Sequence, residues 1–331
     1  MSHIAVFGAG SWGTAFASIL ADGGNDVRVW GRRPELVEQL NRGVNDDYLP
    51  GVQLPGGISA STDPAEVTEG AEIVILSVPS QSLRTNLTEW APLLGDKIVV
   101  SLMKGIELGT TKRMSEVIHE VAGVPAERIG VVSGPNLARE IVQRQPAATV
   151  VACPDVSAAD RVAAACSTSY FRPYTSQDVV GAELGGAVKN VIALAVGMSA
   201  GLGMGDNTKA SIITRGLAET TRLAMALGAD PRTMSGLAGV GDLIATCMSP
   251  LSRNHSFGVK LGEGLSVAQV TEVTKQTAEG VKSCASILDL ARAHGVDVPI
   301  TEMVNRVVHE DFAPADMVEV LLARARKHET E

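Results

Sequence analysis

The stretch that decides the fold is residues 3–20, HIAVFGAGSWGTAFASIL. It begins with a short β-type run, and an apolar helical pattern extends from Thr14 to Leu20. Between them, Gly8, Gly10 and Gly13 have the spacing G-x-G-x-x-G. After a strand and before a helix, these glycines permit a tight turn, close approach of the backbone to a pyrophosphate, and close helix–strand packing. The stretch therefore predicts a dinucleotide-binding α/β domain.

The residues after the next β-type run, Asp26–Trp30, bear on which dinucleotide binds. In an NAD-selective site an acidic residue follows this strand and accepts the ribose hydroxyls. This chain has Gly31, Arg32 and Arg33 there. Two guanidiniums suit a 2′-phosphate, which favours NADPH or at least tolerates it. The alternative is that one or both arginines are solvated loop residues.

Further alternation of strand and helix patterns predicts that this domain continues along the chain. Strands are expected at Glu72–Val78, Lys97–Leu102, Arg128–Ser133, Ala147–Ala152 and Tyr170–Pro173, with a helix at Asp155–Ala165. Ligands bind beyond the carboxyl ends of parallel strands, where this chain has small or polar residues and one charged residue, Lys104. Lys104 is either a ligand-facing residue or an exposed turn lysine.

A second informative stretch is residues 183–205, ELGGAVKNVIALAVGMSAGLGMG. No charge separates Lys189 from Asp206 and no proline interrupts the run, which predicts a buried helix. Gly185 and Gly186 precede Lys189 by one turn and leave space beside it for a small molecule, with Asn190 close to the same cavity. A buried lysine with a lowered pKa acts as an acid or base, whereas a lysine that reaches the surface does not.

Two later groups of polar residues complement this lysine. Asp242 and Thr246 are four residues apart, so in a helix they share one face, from which Asp242 can pair with Lys189. Ser252, Arg253 and Asn254 form a compact group of donors, and the guanidinium suits a phosphate. This combination indicates an oxidoreductase for a phosphorylated substrate.

The second half of the chain is otherwise dominated by helical patterns. Helices are expected at Lys209–Leu227, with Asn207 or Thr208 as N-cap, and at Val267–Val273, Val281–His294 and Asp316–Lys327. Glu279 lies in a turn, where it either meets a ribose hydroxyl or caps a helix. We expect a Rossmann-type α/β domain over residues 1–180 and an all-α domain over residues 181–331.

Composition excludes several classes of protein. The 331 residues carry a net charge of −9, divided as −7 over residues 1–187 and −2 over residues 188–331, so nucleic-acid binding is not expected. No C-x-x-C or H-E-x-x-H spacing occurs, which argues against structural zinc and disulfides, and no metal is expected. The N-terminus lacks a secretory pattern, and the central apolar run is too short and rich in Gly and Ala for a membrane span. These features favour the cytoplasm.

Taken together, the motifs resemble the NAD(P)-dependent glycerol-3-phosphate dehydrogenases of the bacterial type. The matching blocks are residues 8–15, 77–81, 104–107, 133–135, 188–197, 206–217, 239–247 and 252–254. The resemblance implies reversible reduction of dihydroxyacetone phosphate to sn-glycerol 3-phosphate with NADP(H) or NAD(H). It also implies a 6-phosphogluconate-dehydrogenase-like fold, a supply of product to phospholipid synthesis and, usually, a homodimer.

The resemblance also implies roles for particular residues. Lys189 is the implied proton donor and acceptor, with Lys104 and Asp242 beside it. The implied substrate contacts are Lys104, Gly134, Asn136, Lys189, Asn190, Asp242, Thr246, Ser252, Arg253 and Asn254. The implied cofactor contacts are Gly8, Gly10, Ser11, Trp12, Gly13, Arg32, Arg33, Lys104, Ala138, Arg253, Thr277 and Glu279. Asn136-Leu137 departs from the Ser-Phe of many relatives.

Two other functions remain open at this stage. A β-hydroxyacid or 6-phosphogluconate-type dehydrogenase shares the plan and a helical lysine, but Ser252-Arg253-Asn254 and Gly241-Asp242-Leu243 disfavour it. A non-catalytic NADPH sensor or scaffold has no need of Lys104, Lys189 and Asp242.

Overall fold

The N-terminal half of the chain folds around a single mixed sheet. In the computed structural model, which describes residues 2–274, 278–325 and 328, this sheet has eight strands in the order β3-β2-β1-β4-β5-β6-β7-β8. They are β1 His3–Phe7, β2 Asp26–Trp30, β3 Ile58–Ser61, β4 Ile73–Leu76, β5 Ile98–Ser101, β6 Ile129–Ser133, β7 Ala147–Ala152 and β8 Phe171–Ser176. Neighbouring strands are parallel except β6 and β7, which pair antiparallel.

Helices cover both faces of the sheet and form the rest of the chain. They are α1 Ser11–Asp22, α2 Pro34–Asn41, α3 Pro64–Thr68, α4 Leu83–Leu94, α5 Met114–Ala122, α6 Ala138–Val142, α7 Val156–Cys166, α8 Val179–Gly201, α9 Asp206–Ala226, α10 Pro231–Met234, α11 Asp242–Met248, α12 Arg253–Gly262, α13 Val267–Thr274, α14 Glu279–Ala293, α15 Pro299–His309 and α16 Pro314–Leu322. The predicted fold class, a Rossmann-type α/β half followed by an all-α half, is confirmed.

Some predicted boundaries are wrong. The N-cap of α9 is Gly205, not Asn207 or Thr208, and Asp206 already lies in the first turn, where its charge suits the helix dipole. Helix α16 ends at Leu322, before the predicted Lys327. The sheet ends at Ser176 and α8 begins at Val179, close to the expected domain boundary.

Helix α8 is the axis of the second half, and other helices surround it. Among the described residues one helix, Val179–Gly201, is long and apolar enough to cross a membrane, but 94% of its apolar window is buried inside the protein. Its closest neighbour is α12. A Cβ on Gly197 would lie 2.2 Å from the carbonyl oxygen of His255, and one on Gly258 would lie 2.3 Å from that of Leu194. Glycines on both helices therefore bring the two backbones into contact.

The glycine turn after β1 leaves a gap at one position only. A Cβ on Gly13 would lie 2.0 Å from the carbonyl oxygen of Gly8, so α1 packs directly on the turn. A Cβ on Gly8 would lie 2.3 Å from the carbonyl oxygen of Ser77, which follows β4. Gly10, in contrast, has no described atom within 4 Å of the position of its absent Cβ. The open side of Gly10 is the place where the sequence predicts a pyrophosphate.

This contrast predicts different effects for two alanine substitutions. Gly10→Ala fits the backbone, since φ is −73°, and costs at most about 1 kcal/mol of stability, the loss of a favourable N-cap residue. It weakens dinucleotide binding roughly 10-fold or more, because the methyl group enters the predicted pyrophosphate position. Gly13→Ala lowers the free energy of unfolding by about 1–3 kcal/mol through overpacking. Thermal unfolding and nucleotide titration of both variants test this. Wild-type affinity in Gly10→Ala, or a wild-type melting temperature in Gly13→Ala, contradicts it.

Candidate active site

A groove of about 660 Å³ runs from the glycine turn, past the carboxyl ends of β2, β4 and β5, to helices α8, α12 and α14. It brings together most of the predicted site residues. The groove is lined by Gly8, Gly10, Ser11, Trp12, Arg32, Arg33, Lys104, Asn136, Lys189, Asn190, Arg253, Asn254 and Glu279 among the predicted residues, and by Tyr48, Ser80, Gln81, Ser82, Asn86 and Lys282 among others. One surface therefore joins the predicted cofactor end to the predicted substrate end.

At the substrate end, the carboxylate of Asp242 binds two lysines. Lys104 Nζ donates to Asp242 Oδ2 at 2.6 Å, and Lys189 Nζ donates to Asp242 Oδ1. Only 1% of the Asp242 side chain is exposed, compared with 8% for Lys189 and 14% for Lys104. The prediction that Asp242 pairs with Lys189 is confirmed. The alternatives in which Lys189 reaches the surface and Lys104 is an exposed turn residue are wrong.

Each ammonium has a second protein acceptor. Lys189 Nζ donates to Thr246 Oγ1 at 2.7 Å, and Lys104 Nζ donates to the carbonyl oxygen of Gly134 at 3.1 Å. Burial lowers the pKa of Lys189 from its ordinary value, and the charge of Lys104 lowers it further, although Asp242 acts in the opposite direction. An ammonium group has three N–H bonds. Two are used in these contacts, so each lysine keeps one N–H for a bound molecule.

The space beside Lys189 differs from the expectation. The sequence predicts that Gly185 and Gly186 leave room for a small molecule, but protein atoms fill that room. A Cβ on Gly185 would lie 2.3 Å from the carbonyl oxygen of Ala238, in the π-helical turn before α11. A Cβ on Gly186 would lie 2.9 Å from Ser133 Oγ and 3.3 Å from Lys104 Cγ. The glycines therefore let α11 and Lys104 approach α8, which brings Asp242 to Lys189.

The N-terminus of α12 forms the far wall of the substrate end. Ser252 is its N-cap and accepts a hydrogen bond from the backbone N–H of His255 at 3.3 Å. Arg253, the first residue of the helix, is exposed and lies on the groove wall. Asn254 is buried, donates to Asn190 Oδ1 at 2.9 Å, and accepts from the backbone N–H of Gly280 at 2.9 Å. A positively polarised helix end and a guanidinium thus face the groove together.

Glu279 lies where α14 meets the same wall. It is the first residue of that helix and lines the groove. Burial raises the pKa of its carboxyl, against the opposing charges of Arg253, Lys104, Lys189 and Lys282. The N-cap of α14 is Ala278, so the capping role left open by the sequence is wrong, and contact with a ribose hydroxyl stays a prediction.

At the cofactor end, Arg32 and Arg33 are both exposed on the groove wall. Arg33 Nη2 donates to Asp47 Oδ2 at 2.7 Å. Trp12 lines the groove with its indole Nε1 buried and, among the described residues, without a hydrogen-bond partner. The gap at Gly10, the orphan indole N–H and the arginines are a set of groups that fits an anionic dinucleotide.

Several predicted residues lie behind the groove wall instead of on it. Asp242, Thr246 and Gly134 hold the two lysines, Ser252 caps α12, Gly13 packs on the glycine turn, and Ala138 packs against the core of the first half. Asn136 lines the groove, and its amide donates to Thr149 Oγ1 at 2.9 Å. Thr277 lies outside the described residues. Direct binding by any of these residues stays a prediction.

The sequence interpretation missed some groove residues. Lys282 lies one helical turn after Glu279 and could have been found from that spacing. Tyr48 lines the groove, and Asp47 beside it bonds to the groove residue Arg33. Both belong to the connection between α2 and β3, whose sequence carries no signal of its place in the fold. Among the described residues, no group of three or more His, Cys, Asp or Glu side chains is arranged to hold a metal ion.

Comparison with known proteins shows the family to which this chain belongs. The model of the NAD-dependent glycerol-3-phosphate dehydrogenase N-terminus matches residues 3–159, and that of the C-terminus matches residues 178–319. Relatives named glycerol-3-phosphate dehydrogenase [NAD(P)+] from Streptomyces griseus and Streptomyces coelicolor are 64% and 63% identical, over 98% of this chain and 97% of theirs. A crystal structure of glycerol-3-phosphate dehydrogenase from Coxiella burnetii is 36% identical, with a TM-score of 0.93 over 98% of this chain and 99% of that one. The chain therefore belongs to the NAD-dependent glycerol-3-phosphate dehydrogenase family and is an NAD(P)-dependent oxidoreductase.

Proposed function

We propose that this enzyme reduces dihydroxyacetone phosphate to sn-glycerol 3-phosphate, reversibly, and that the product supplies glycerophospholipid synthesis in the cytoplasm. The observation that carries the proposal is a buried ammonium, Lys189, in the same groove as a helix N-terminus that bears Arg253. The names of the relatives support the substrate. The bound reduced nicotinamide supplies the hydride that the reaction needs.

Lys189 is the proposed proton donor to the ketone oxygen. Its contacts with Asp242 and Thr246 leave one N–H for that oxygen, which gains negative charge as the carbonyl is reduced. Because burial lowers the pKa of Lys189, the ammonium gives up its proton more readily than an ordinary lysine. In the oxidation direction the neutral amine accepts the proton from the alcohol. Lys104 supports the same oxygen or the adjoining hydroxyl from the sheet side.

The proposed phosphate site is the N-terminus of α12. Arg253 offers two parallel N–H groups to phosphate oxygens, and the helix dipole favours an anion at the same point. Asn254, next to Arg253 in the chain, donates to Asn190, next to Lys189, so this pair links the proposed phosphate site to the proposed proton donor. Binding energy at the phosphate thereby orients the ketone.

The test of Lys189 is its replacement by methionine, which keeps the length of the side chain and removes the amine. We expect kcat for dihydroxyacetone phosphate reduction to fall roughly 100- to 10,000-fold, as for loss of a general acid, with NADPH binding kept. Lys209→Met is the matched control, at a half-buried position of α9 where the lysine pairs with Asp206 and does not line the groove. In the wild type, Lys189 loses its proton at a lower pH than an ordinary lysine, because its pKa is lowered. As the pH rises through this pKa, the rate of ketone reduction should fall and the rate of alcohol oxidation should rise.

The outcomes of this test separate the candidate functions. Wild-type turnover in Lys189→Met removes the assigned proton donor. Faster turnover of unphosphorylated 3-oxoacids than of dihydroxyacetone phosphate favours a β-hydroxyacid dehydrogenase, and nucleotide binding without turnover of either favours a sensor.

The phosphate site is tested by Arg253→Lys, which keeps the charge and removes the planar pair of donors. We expect KM for dihydroxyacetone phosphate to rise roughly 10- to 100-fold, the loss of a charge-assisted hydrogen bond. Turnover of dihydroxyacetone, which has no phosphate, serves as the internal control and should be nearly unchanged. Equal losses with both substrates would remove Arg253 from the phosphate site.

We also propose that the enzyme is a homodimer. Helix α11 presents Asp242 and Thr246 to the site, while Ile244 and Met248 on another face are 49% and 53% exposed. Ile244 and Met248 are four residues apart on this helix and so share a face, and an exposed apolar face is typical of subunit contacts. Leu251, which follows the helix, is 46% exposed.

The surface is tested by substitution with charge. We expect the wild type to elute at dimer mass in light scattering, and Ile244→Glu with Met248→Glu to shift it toward the monomer. Val273→Glu, at a 61% exposed position on α13, is the control and should keep the wild-type mass. A monomeric wild type rejects the dimer, and a dimeric double variant rejects this surface.

A further inference from the structure

The connection between α2 and β3 is fixed to the glycine turn. Asn45 is fully buried, and its side-chain amide donates to the carbonyl oxygen of Ala9 at 3.0 Å and to Thr14 Oγ1 at 2.7 Å. The backbone N–H of Leu49 donates to the carbonyl oxygen of Asn45 at 2.7 Å, which closes a tight turn. The intervening residues, Asp46 to Tyr48, are therefore held at a defined place beside the cofactor end of the groove.

Within that turn, Asp47 has both carboxylate oxygens bound. Arg33 Nη2 donates to Oδ2 at 2.7 Å, and Gln39 Nε2 donates to Oδ1 at 3.0 Å. Gln39 is itself oriented, because its Oε1 accepts from the backbone N–H of Asp46 at 2.9 Å. The hydrogen bonds from Gln39 and Arg33 lower the pKa of Asp47, so the group is a carboxylate at neutral pH.

The pairing changes the charge that a nucleotide meets at this end of the groove. Arg32 and Arg33 follow β2, where the ribose of the adenosine lies in a Rossmann-type site. A 2′-phosphate carries about −1.5 to −2 charges near neutral pH. A phosphate that binds Arg33 competes with Asp47 for the guanidinium and is repelled by the Asp47 carboxylate. A ribose with a free 2′-hydroxyl is uncharged and meets no such opposition.

We propose that Asp47 is a positioning residue that sets the cofactor preference: by pairing with Arg33 it weakens NADPH relative to NADH and keeps both usable. The inference rests on the assignment of the Arg32–Arg33 end to the adenosine ribose. It deepens the cofactor assignment and does not depend on the identity of the substrate.

The test is Asp47→Asn, which removes the charge and keeps the shape. Dissociation constants for NADPH and NADH are measured by fluorescence titration without substrate. We expect the affinity ratio to move about 5- to 10-fold toward NADPH, the effect of one unit charge at a partly exposed site, with NADH changed less than about 2-fold. Raising the salt concentration should shrink the difference between wild type and variant, since exposed charges are screened.

The matched control is Asp46→Asn, which makes the same change in net charge one residue away. Asp46 Oδ1 accepts from the backbone N–H of Gly51 and is exposed. A ratio that does not move in Asp47→Asn, or that moves toward NADH, overturns the proposal. An equal shift in Asp46→Asn also overturns it, because the contact with Arg33 would then be irrelevant.

Two further variants keep the result interpretable. Asp47→Ser removes the charge with a different side chain and should move the affinity ratio in the same direction. If both Asp47 variants lose affinity for NADPH and NADH equally, Asp47 only maintains the structure of the loop, and the proposal is overturned. Arg33→Ala should weaken NADPH alone. If it does not, the assignment of the ribose end fails. Failure of the proposed reaction would appear in turnover of dihydroxyacetone phosphate and would leave these titrations unchanged.

Discussion

The structure depends on one buried carboxylate that binds two ammonium groups from different parts of the chain. Asp242 lies in α11, Lys104 follows the sheet strand β5, and Lys189 belongs to α8. A buried charge is stabilised only by close partners, and removal of one member of such a set typically costs about 3–5 kcal/mol. The two halves of the protein are thus joined at the point where the chemistry is proposed. The electrostatics of the site and the contact between the halves cannot be changed separately.

Close backbone packing makes this arrangement possible. At Gly185 the carbonyl of Ala238 occupies the place of a side chain, so α11 comes near enough to α8 for Asp242 to reach Lys189. At Gly197 and Gly258, α8 and α12 touch through their backbones, which fixes Asn254 against Asn190. Interiors packed in this way deform little, so the side chains of the site are held by the main chain of three helices.

The sequence predicted the parts of the fold and site that depend on local pattern. The glycine spacing after β1, the buried helix around Lys189, and the helical spacing of Asp242 and Thr246 each have a local physical cause. Other features depend on non-local packing, and the sequence did not predict them. The strand Ile58–Ser61 is short, with small and polar residues at the sheet edge, and the antiparallel direction of β7 leaves no mark in an alternating pattern. The glycines before Lys189 indicated space, but only the fold decides what fills it.

Helix α12 is another element that local sequence pattern did not predict in full, and its packing bears on substrate specificity. Its first turn was interpreted as a group of donors and its length was missed, because glycines and polar residues obscure the helical pattern of Arg253–Gly262. Those glycines are the residues that lock α12 to α8. Since α8 also carries Lys189, the helix end that bears Arg253 and the proposed proton donor belong to one rigid pair of helices. The spacing between an anion at Arg253 and a carbonyl at Lys189 is therefore set by glycine contacts remote from both. Under the proposed function, a substrate is selected by that spacing as well as by its charge, so that a small phosphorylated ketone is distinguished from a carboxylate of similar size.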